Sequence, residues 1–189
     1  MKTENASIVI IGAGVVGASV AYHLAELGAK DILIVEAEPE QGNGSTGKAT
    51  GGVRTQFETD INILLSLYSI DFFKNWEFDC RYDPKGYLFF ATTDAQLDYL
   101  THNVEKQKSL GVKDVEIVNA KSVAELVPGM NCADIVGGSF GKNDGFIDPL
   151  AVMRAFTDGA VRNGVKVEFD RRVVGIDVQH GGSSRSVDG

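Results

Sequence analysis

Three glycines near the N-terminus of this 189-residue chain have the spacing of a dinucleotide-binding turn. They are Gly12, Gly14 and Gly17, and Val15 and Val16 complete the motif. Such glycines allow a tight turn after a strand, a close approach of the backbone to a pyrophosphate, and close packing of helix on strand. The helix N-terminus then presents free N–H groups and a partial positive charge to the phosphates. The motif therefore predicts a site for a dinucleotide.

A carboxylate follows at the distance that suits ribose binding. Glu36 stands 22 positions after Gly14 and closes the apolar run from Ile32 to Val35. A carboxylate at this place accepts hydrogen bonds from ribose hydroxyls and disfavours a 2′-phosphate. The glycine motif and Glu36 therefore make NADP a poor candidate, but they do not choose between FAD and NAD.

The segment 41–54 bears on that choice. Its sequence, QGNGSTGKATGGVR, is dense in glycine and hydroxyl residues. Such a loop can lie along an extended ligand and donate N–H and O–H groups to it. A mobile surface loop is the alternative. FAD is favoured because an NAD site leaves this segment without a role.

The elements that must position these residues are predicted from apolar patterning. The runs at 7–11 and 32–35 flank a helix that ends at Gly28, so the first 36 residues form a β–α–β unit with strands buried on both faces. A second helix is expected from Asp60 to about residue 79. Its apolar side comprises Ile61, Leu64, Leu65, Tyr68, Phe72 and Trp76.

The predicted fold class is α/β, a Rossmann-like FAD-binding domain with a parallel sheet and an inserted partial α+β substrate lobe. Residues 1–85 form the first part of the FAD-binding domain. Residues 86–141, where strands and helices lack a regular βαβ order, form the substrate or cap lobe. Residues 142–180 return to the FAD-binding domain, with a helix capped by Asp148, and residues 181–189 are predicted to be a flexible tail.

The chain resembles the D-amino-acid oxidase-like family of FAD-dependent oxidoreductases, which includes sarcosine and glycine oxidases, sarcosine oxidase β subunits, amine and proline dehydrogenases, and dimethylglycine dehydrogenases. The resemblance rests on SIVIIGAGVVGASVAYHLAELG, ILIVEAE and GSTGKATGGVRTQF, and continues more weakly through DGFIDPLAVMRAFTDGAVRNGVKV and VVGIDV. It implies oxidation of a small amino acid or a secondary or tertiary amine, such as sarcosine, glycine or proline, by hydride transfer to flavin. A non-catalytic FAD-binding fragment or subunit and an NAD-dependent dehydrogenase are the alternatives.

The family pattern also implies roles for individual residues. The glycine motif holds the FAD pyrophosphate, and Glu36 binds the adenosine ribose beside Ala37, where many relatives carry a basic residue. Val173 or Val174 meets the adenine through its backbone. The residues implied along the pyrophosphate, ribityl chain and isoalloxazine are Ser45, Thr46, Lys48, Thr50, Gly51 and Gly52.

Arg54 is the one candidate for contact with the substrate. In amine-oxidising relatives an arginine near this position pairs with the substrate carboxylate, and a planar guanidinium suits that task. A structural salt bridge or a solvated loop arginine is the alternative. Some relatives attach flavin through a histidine, but the segment 41–54 contains none, so the FAD is expected to be non-covalent.

Composition excludes several other classes of site. Cys80 and Cys132 lie far apart without a CxxC motif, so no metal site is predicted. A net charge of −8 disfavours a nucleic-acid partner. No apolar stretch approaches the ~20 residues that span a bilayer, and the N-terminus lacks the pattern of a signal peptide, so a cytoplasmic protein is expected.

The family fold is longer than this chain, and its last third completes the FAD-binding domain. We therefore expect the chain to be an N-terminal portion of a larger fold. Exposed apolar faces on the second lobe would then need another chain to cover them. The expected partners are a second copy or another chain that completes the fold, besides the small amino-acid or amine substrate.

Overall fold

In a computed structural model, which describes residues 5–180 and 183–187, the chain is a mixed α/β protein. The elements in chain order are β1 (Ile8–Ile11), α1 (Val15–Glu26), β2 (Ile32–Val35), a 3₁₀ turn (Thr46–Lys48), β3 (Gly52–Val53), α2 (Asp60–Asn75), β4 (Tyr87–Ala91), α3 (Asp94–Ser109), β5 (Val115–Asn119), α4 (Ala120–Leu126), β6 (Gly137–Gly141), β7 (Gly145–Phe146), α5 (Pro149–Arg162), β8 (Lys166–Glu168), β9 (Ile176–His180) and β10 (Ser183–Val187). They form two compact units, Met1–Ala49 with Pro149–Gly189, and Thr50–Asp148.

The first unit contains a parallel sheet with the strand order β1-β2-β8. Ile8 pairs with Ile32 at the start of the β1–β2 register, and Leu33 pairs with Lys166 on the other side. Helix α1 joins β1 to β2, so the predicted βαβ unit and the α/β class are confirmed. Helix α1 packs against α5, where the rings of Tyr22 and Phe156 lie 5.5 Å apart.

Strand β1 is less buried than its sequence predicts. It is an edge strand in the described sheet, and Val9 and Ile11 are both more than half exposed. These two alternate residues point to the same face, because successive side chains of a strand point to opposite faces. The central strand β2 does fit the prediction, since Ile32, Leu33 and Ile34 are all buried.

The second unit contains an antiparallel sheet with the order β4-β6-β5 and a short antiparallel pair, β3 with β7. Two groups of apolar side chains form its core. One comprises Ile63, Val104, Val112 and Val115, and the other comprises Val118, Val123 and Ile135. Helices α2 and α3 contribute to the first group, and α4 contributes to the second.

The division into units differs from the predicted domain limits after residues 85 and 141. The second unit already begins at Thr50, because β3 pairs with β7 and because Ile63 of α2 packs against Val104 and Val115. Sequence patterning cannot detect these long-range contacts. The assignment of the units to FAD or substrate remains a prediction.

Helix α2 buries a different face from the predicted one. Ile63 and Ile70 are buried, and Leu67 packs against the same core group. The sequence of this helix has two apolar faces. The face toward the core carries Ile63, Leu67 and Ile70, with the spacing i, i+4, i+7. Four members of the predicted apolar side are exposed instead, namely Ile61, Leu64, Leu65 and Tyr68.

Helix α4 begins at Ala120, and the Asn119 side chain caps it by accepting a hydrogen bond from the Ser122 N–H. The C-terminal segment differs from expectation. Strand β9 begins at Ile176 and pairs with residues 183–187, where a flexible tail was predicted. Residues 181–182 and 188–189 of that tail lie outside the described residues.

Helices of the described residues are too short or too polar to cross a membrane. The same part of the chain contains no group of three or more His, Cys, Asp or Glu side chains that could hold a metal ion.

Candidate functional site

The glycine motif forms the turn between β1 and α1. Gly12 has a φ of +96°, in the left-handed region that side-chain-bearing residues rarely adopt. A Cβ atom on Gly17 would lie 2.0 Å from the Gly12 carbonyl oxygen, a distance that no real Cβ tolerates. Position 17 must therefore be glycine for the helix to begin this close to the strand.

The first turn of α1 contains no acidic residue, and its N-cap residue, Gly14, has no side chain that could cap it. The Val15 N–H donates to Thr46 Oγ1 at 3.0 Å, and the Ala18 N–H is bonded back to the Gly14 carbonyl at 2.9 Å. Thr46 thus satisfies one N–H group of the first turn, and the partial positive charge of the helix N-terminus favours an anion such as a pyrophosphate.

Glu36 links the end of β2 to the glycine turn. Its Oε2 accepts a hydrogen bond from the Ala13 N–H at 2.8 Å, and its Oε1 accepts one from the Glu38 N–H at 3.1 Å. Burial raises the pKa of Glu36, but hydrogen bonds from the backbone N–H groups of Ala13, Glu38 and Ala37, with Arg172 nearby, hold it below its ordinary value. The carboxylate is thus ionised and also shapes the turn, a role that the sequence analysis did not foresee.

A cleft of ≈ 410 Å³ lies beside this turn in the first unit. Four of the predicted cofactor-binding residues line it, namely Gly14, Glu36, Ser45 and Thr46. Glu38, Gly42, Asn43 and Gly44 line it as well, and the last three belong to the glycine-rich segment although they were not singled out. A helix N-terminus without acidic residues in its first turn, a carboxylate and two hydroxyl groups suit the pyrophosphate and ribose of a dinucleotide.

Other predicted cofactor residues do not line this cleft. Lys48 is exposed at the end of the 3₁₀ turn, and Ala37 follows Glu36 directly. Val173 and Val174 lie in the stretch before β9, where the Val174 side chain is 87% exposed. Thr50, Gly51 and Gly52 belong to the second unit, where Gly52 opens β3 and Gly51 has a φ of +78°.

Arg54 follows β3 in the second unit and is surrounded by aromatic rings. Its guanidinium carbon lies 4.7 Å from the ring centroid of Phe57 and 5.3 Å from those of Tyr87 and Phe89. Its Nη1 donates to the Tyr87 hydroxyl at 3.4 Å. Within the described chain Arg54 forms no ion pair, and its buried Nε has no acceptor. This arrangement favours neither a structural salt bridge nor a solvated loop arginine.

The Arg54 side chain lines a cavity of ≈ 850 Å³. Aromatic and aliphatic side chains dominate its wall, and Asn62, Ser66 and Ser69 contribute polar groups. The apolar members include Val53, Phe57, Leu65, Ile70, Phe73, Tyr87, Phe146 and Ile147. Thr50 and Gly52, both predicted to contact FAD, line it too. A guanidinium at such a wall can pair with the carboxylate of a small, partly apolar molecule.

Asp144 is a buried residue of this region that the sequence analysis missed. Its carboxylate accepts hydrogen bonds from the Thr55 N–H, the Thr55 hydroxyl and the Gln56 side-chain amide. Burial raises the pKa of Asp144, and these donors and the charge of Arg54 oppose the rise. Asp144 lies within the DGFIDP stretch, but no local pattern indicates its partners, which are 88 and 89 residues away in the chain.

Replacement of Glu36 with glutamine is expected to weaken dinucleotide binding about tenfold, because a charged acceptor of hydrogen bonds becomes a neutral one. It also changes the dependence of stability on pH. Because the folded-state pKa of Glu36 is lowered, its stabilising contribution is complete above the ordinary pKa of 4.5 and disappears as the pH falls through the lowered value.

Urea unfolding of the chain and of Glu36→Gln at pH 7 and at acid pH measures this contribution. The variant should be less stable at pH 7, and the difference should shrink as the pH falls below 4.5. Glu40→Gln, at an exposed position, is the matched control. An equal stability difference at both pH values would contradict a stabilising role of the ionised Glu36 carboxylate.

Known proteins are similar to this chain over most of its length. The model of the DAO family, described as FAD dependent oxidoreductase, matches residues 7–189. FAD-dependent oxidoreductase domain-containing protein 1 of Xenopus laevis is 31% identical over 180 residues, which are 87% of this chain and 36% of that protein. The mitochondrial dimethylglycine dehydrogenase of Rattus norvegicus is 30% identical over 178 residues, 92% of this chain and 20% of that protein.

A solved structure is similar over the same region. L-proline dehydrogenase from P. horikoshii superposes with a TM-score of 0.80 at 28% sequence identity, covering 88% of this chain and 44% of that chain. The chain thus spans about a third or less of the two curated relatives and less than half of the solved relative.

Proposed function

Since the chain belongs to the DAO family of FAD-dependent oxidoreductases and its cofactor is therefore FAD, we propose that it oxidises a small amino acid or a secondary or tertiary amine. The substrate class is sarcosine-, glycine- or proline-like. The bound flavin supplies the electron-accepting chemistry of such a reaction. This chain's own residues bind the cofactor and orient the substrate.

The observation that carries the proposal is the position of Arg54 at the wall of the aromatic cavity in the second unit. The guanidinium pairs with the substrate carboxylate, and the aromatic and aliphatic wall contacts the carbon frame around the nitrogen. The names of two relatives support this substrate class, because dimethylglycine and L-proline both combine a carboxylate with a substituted amine.

Within the first unit, we assign the glycine turn to the pyrophosphate and Glu36 to the adenosine ribose. Ser45 and Thr46 lie at the same cleft and donate hydroxyl hydrogen bonds to the cofactor. The assignments of Ala37, Lys48, Val173 and Val174 rest on the sequence resemblance alone, as do those of Thr50, Gly51 and Gly52 to the flavin end.

A non-catalytic FAD-binding subunit or fragment of a larger oxidoreductase is the second candidate function. The NAD-dependent dehydrogenase considered from the sequence has no support, because the matching family is FAD-dependent.

Anaerobic mixing of the FAD-loaded chain with proline, sarcosine or glycine separates the two candidates. An enzyme of the proposed class loses the absorbance of oxidised flavin with at least one of these substrates, because the flavin is reduced. Free FAD with the same substrates is the control. Bound FAD that stays oxidised with every one of them would exclude the proposed activity and favour the non-catalytic candidate.

Association and location are further proposals. The exposed apolar side chains of α2 support contact with a second copy or with a partner chain that completes the fold. A single monomeric species at every concentration in sedimentation velocity would contradict self-association.

A cytoplasmic location rests on the N-terminal sequence alone, and the Rattus norvegicus relative is named as a mitochondrial protein. Imaging of a fluorescent fusion tests it, and fluorescence confined to an organelle would contradict it.

A further inference from the structure

Asp144 is almost completely buried in the turn between β6 and β7, with 1% of its surface exposed. Its Oδ1 accepts hydrogen bonds from the Thr55 N–H at 2.7 Å and the Thr55 hydroxyl at 2.9 Å. Its Oδ2 accepts one from Gln56 Nε2 at 3.0 Å. The carboxylate therefore holds two consecutive residues, of which the first directly follows Arg54.

Gln56 and Asp144 also form hydrogen bonds with the start of β4, the strand that contains Tyr87 and Phe89. Gln56 Nε2 also donates to the Tyr87 carbonyl at 2.8 Å, and the Gly86 N–H donates to the Asp144 carbonyl at 2.8 Å. Gln56 Oε1 accepts a hydrogen bond from the Ser139 hydroxyl at 2.7 Å. Asp144 thus joins the segment 54–56 to the start of β4, where Tyr87 contributes one of the rings around the guanidinium.

The donors around Asp144 require a carboxylate. All three partners donate, and an ionised carboxylate only accepts. An asparagine would turn its own NH₂ group toward one of these donors and leave it unpaired, which is costly in a buried site. Burial of a charge without such partners destabilises a protein. Packing alone therefore does not explain a carboxylate at this position.

We propose that Asp144 is a positioning residue, which fixes the backbone at residues 54–56 and β4 so that the Arg54 guanidinium stays at the cavity wall and meets the substrate carboxylate. This inference rests on the role proposed above for Arg54. Arg54 contributes the contact with substrate, and Asp144 contributes only the orientation of that contact.

The test measures binding of a simple carboxylate, acetate, to the FAD-loaded full chain through the change that acetate causes in the flavin absorbance. Asp144→Asn is expected to weaken acetate binding at least about tenfold and to leave FAD affinity unchanged. Asp134→Asn, the same substitution at an exposed position of the second unit, should change neither. Thr55→Val removes one hydroxyl donor to Asp144, and a smaller weakening in the same direction is expected even where Asp144→Asn folds poorly.

A double variant separates positioning from general damage. In the Arg54→Met background, Asp144→Asn should weaken acetate binding no further, because the contact that it orients is already absent. Independent, additive losses, or wild-type acetate affinity in both Asp144→Asn and Thr55→Val, would overturn the proposal for Asp144 alone. Unchanged acetate binding in Arg54→Met would overturn the role of Arg54 as well.

Discussion

Gly17→Val is expected to lower the affinity of the chain for FAD at least ~100-fold, which corresponds to about 2.7 kcal/mol. A side chain at position 17 would place its Cβ 2.0 Å from the Gly12 carbonyl oxygen. The neighbour is backbone and cannot rotate away, so β1 and the start of α1 must separate. Overpacking of this kind typically costs about 1–3 kcal/mol. The separation displaces the N–H groups that we assign to the pyrophosphate.

Titration with FAD, followed by quenching of flavin fluorescence, measures this loss. Far-ultraviolet circular dichroism of the same samples shows whether the variant retains its secondary structure. Ala133→Val, which introduces the same residue at an exposed position of the second unit, is the control. An affinity for FAD equal to that of the unsubstituted chain would show that the turn does not hold the cofactor.

Arg54→Met is expected to lower kcat/KM for proline roughly 30-fold or more. Loss of one partner from a hydrogen-bonded charge pair costs about 2 kcal/mol or more, which corresponds to that factor. Methionine keeps much of the length and apolar contact of the arginine stem among Phe57, Tyr87 and Phe89. The loss should therefore come mainly from the missing guanidinium.

Comparison of proline with pyrrolidine, which lacks the carboxylate, isolates that contribution. Oxidation of pyrrolidine should change little in Arg54→Met, because no carboxylate is present to lose its partner. Arg154→Met, at an exposed position of α5, controls for the substitution itself. An equal decrease for both substrates would assign Arg54 to the structure of the cavity and not to carboxylate binding.

The nucleotide half of the site could be predicted because its residues are close in sequence. The glycines lie within one turn, and the apolar patterns on either side predict a strand before them and a helix after them. Glu36 could be placed at the end of β2 by the length of the βαβ unit. Its bond to the Ala13 N–H could not be predicted, since that bond depends on how closely β1 and β2 approach.

The surroundings of Arg54 could not be predicted for a related reason. Tyr87 and Phe89 lie on β4, and Asp144 lies in the turn after β6. Their approach to Arg54 depends on the register of β4 and β6, in which Tyr87 pairs with Gly141. The sequence identified the arginine by its position after the glycine-rich segment, but sheet register between distant strands has no local signal.

Helix α2 shows the limit of apolar patterning. Its sequence presents two apolar faces, and the wrong one was predicted to be buried. Ile63 and Leu67 face the core because Val104 and Val115 pack against this side of the helix, and Ile70 on the same side is buried too. The same contacts explain why the second unit begins at Thr50 and not at Gly86.

Titration of the purified chain with FAD, followed by acid precipitation, tests the central claim most directly. The claim is that this chain holds FAD without a covalent bond through the turn at Gly12–Gly17 and the carboxylate of Glu36. We expect saturable FAD binding, no competition by NAD, and release of all flavin into the supernatant on precipitation. A chain that binds NAD in preference to FAD, or flavin that stays with the precipitated protein, would contradict it.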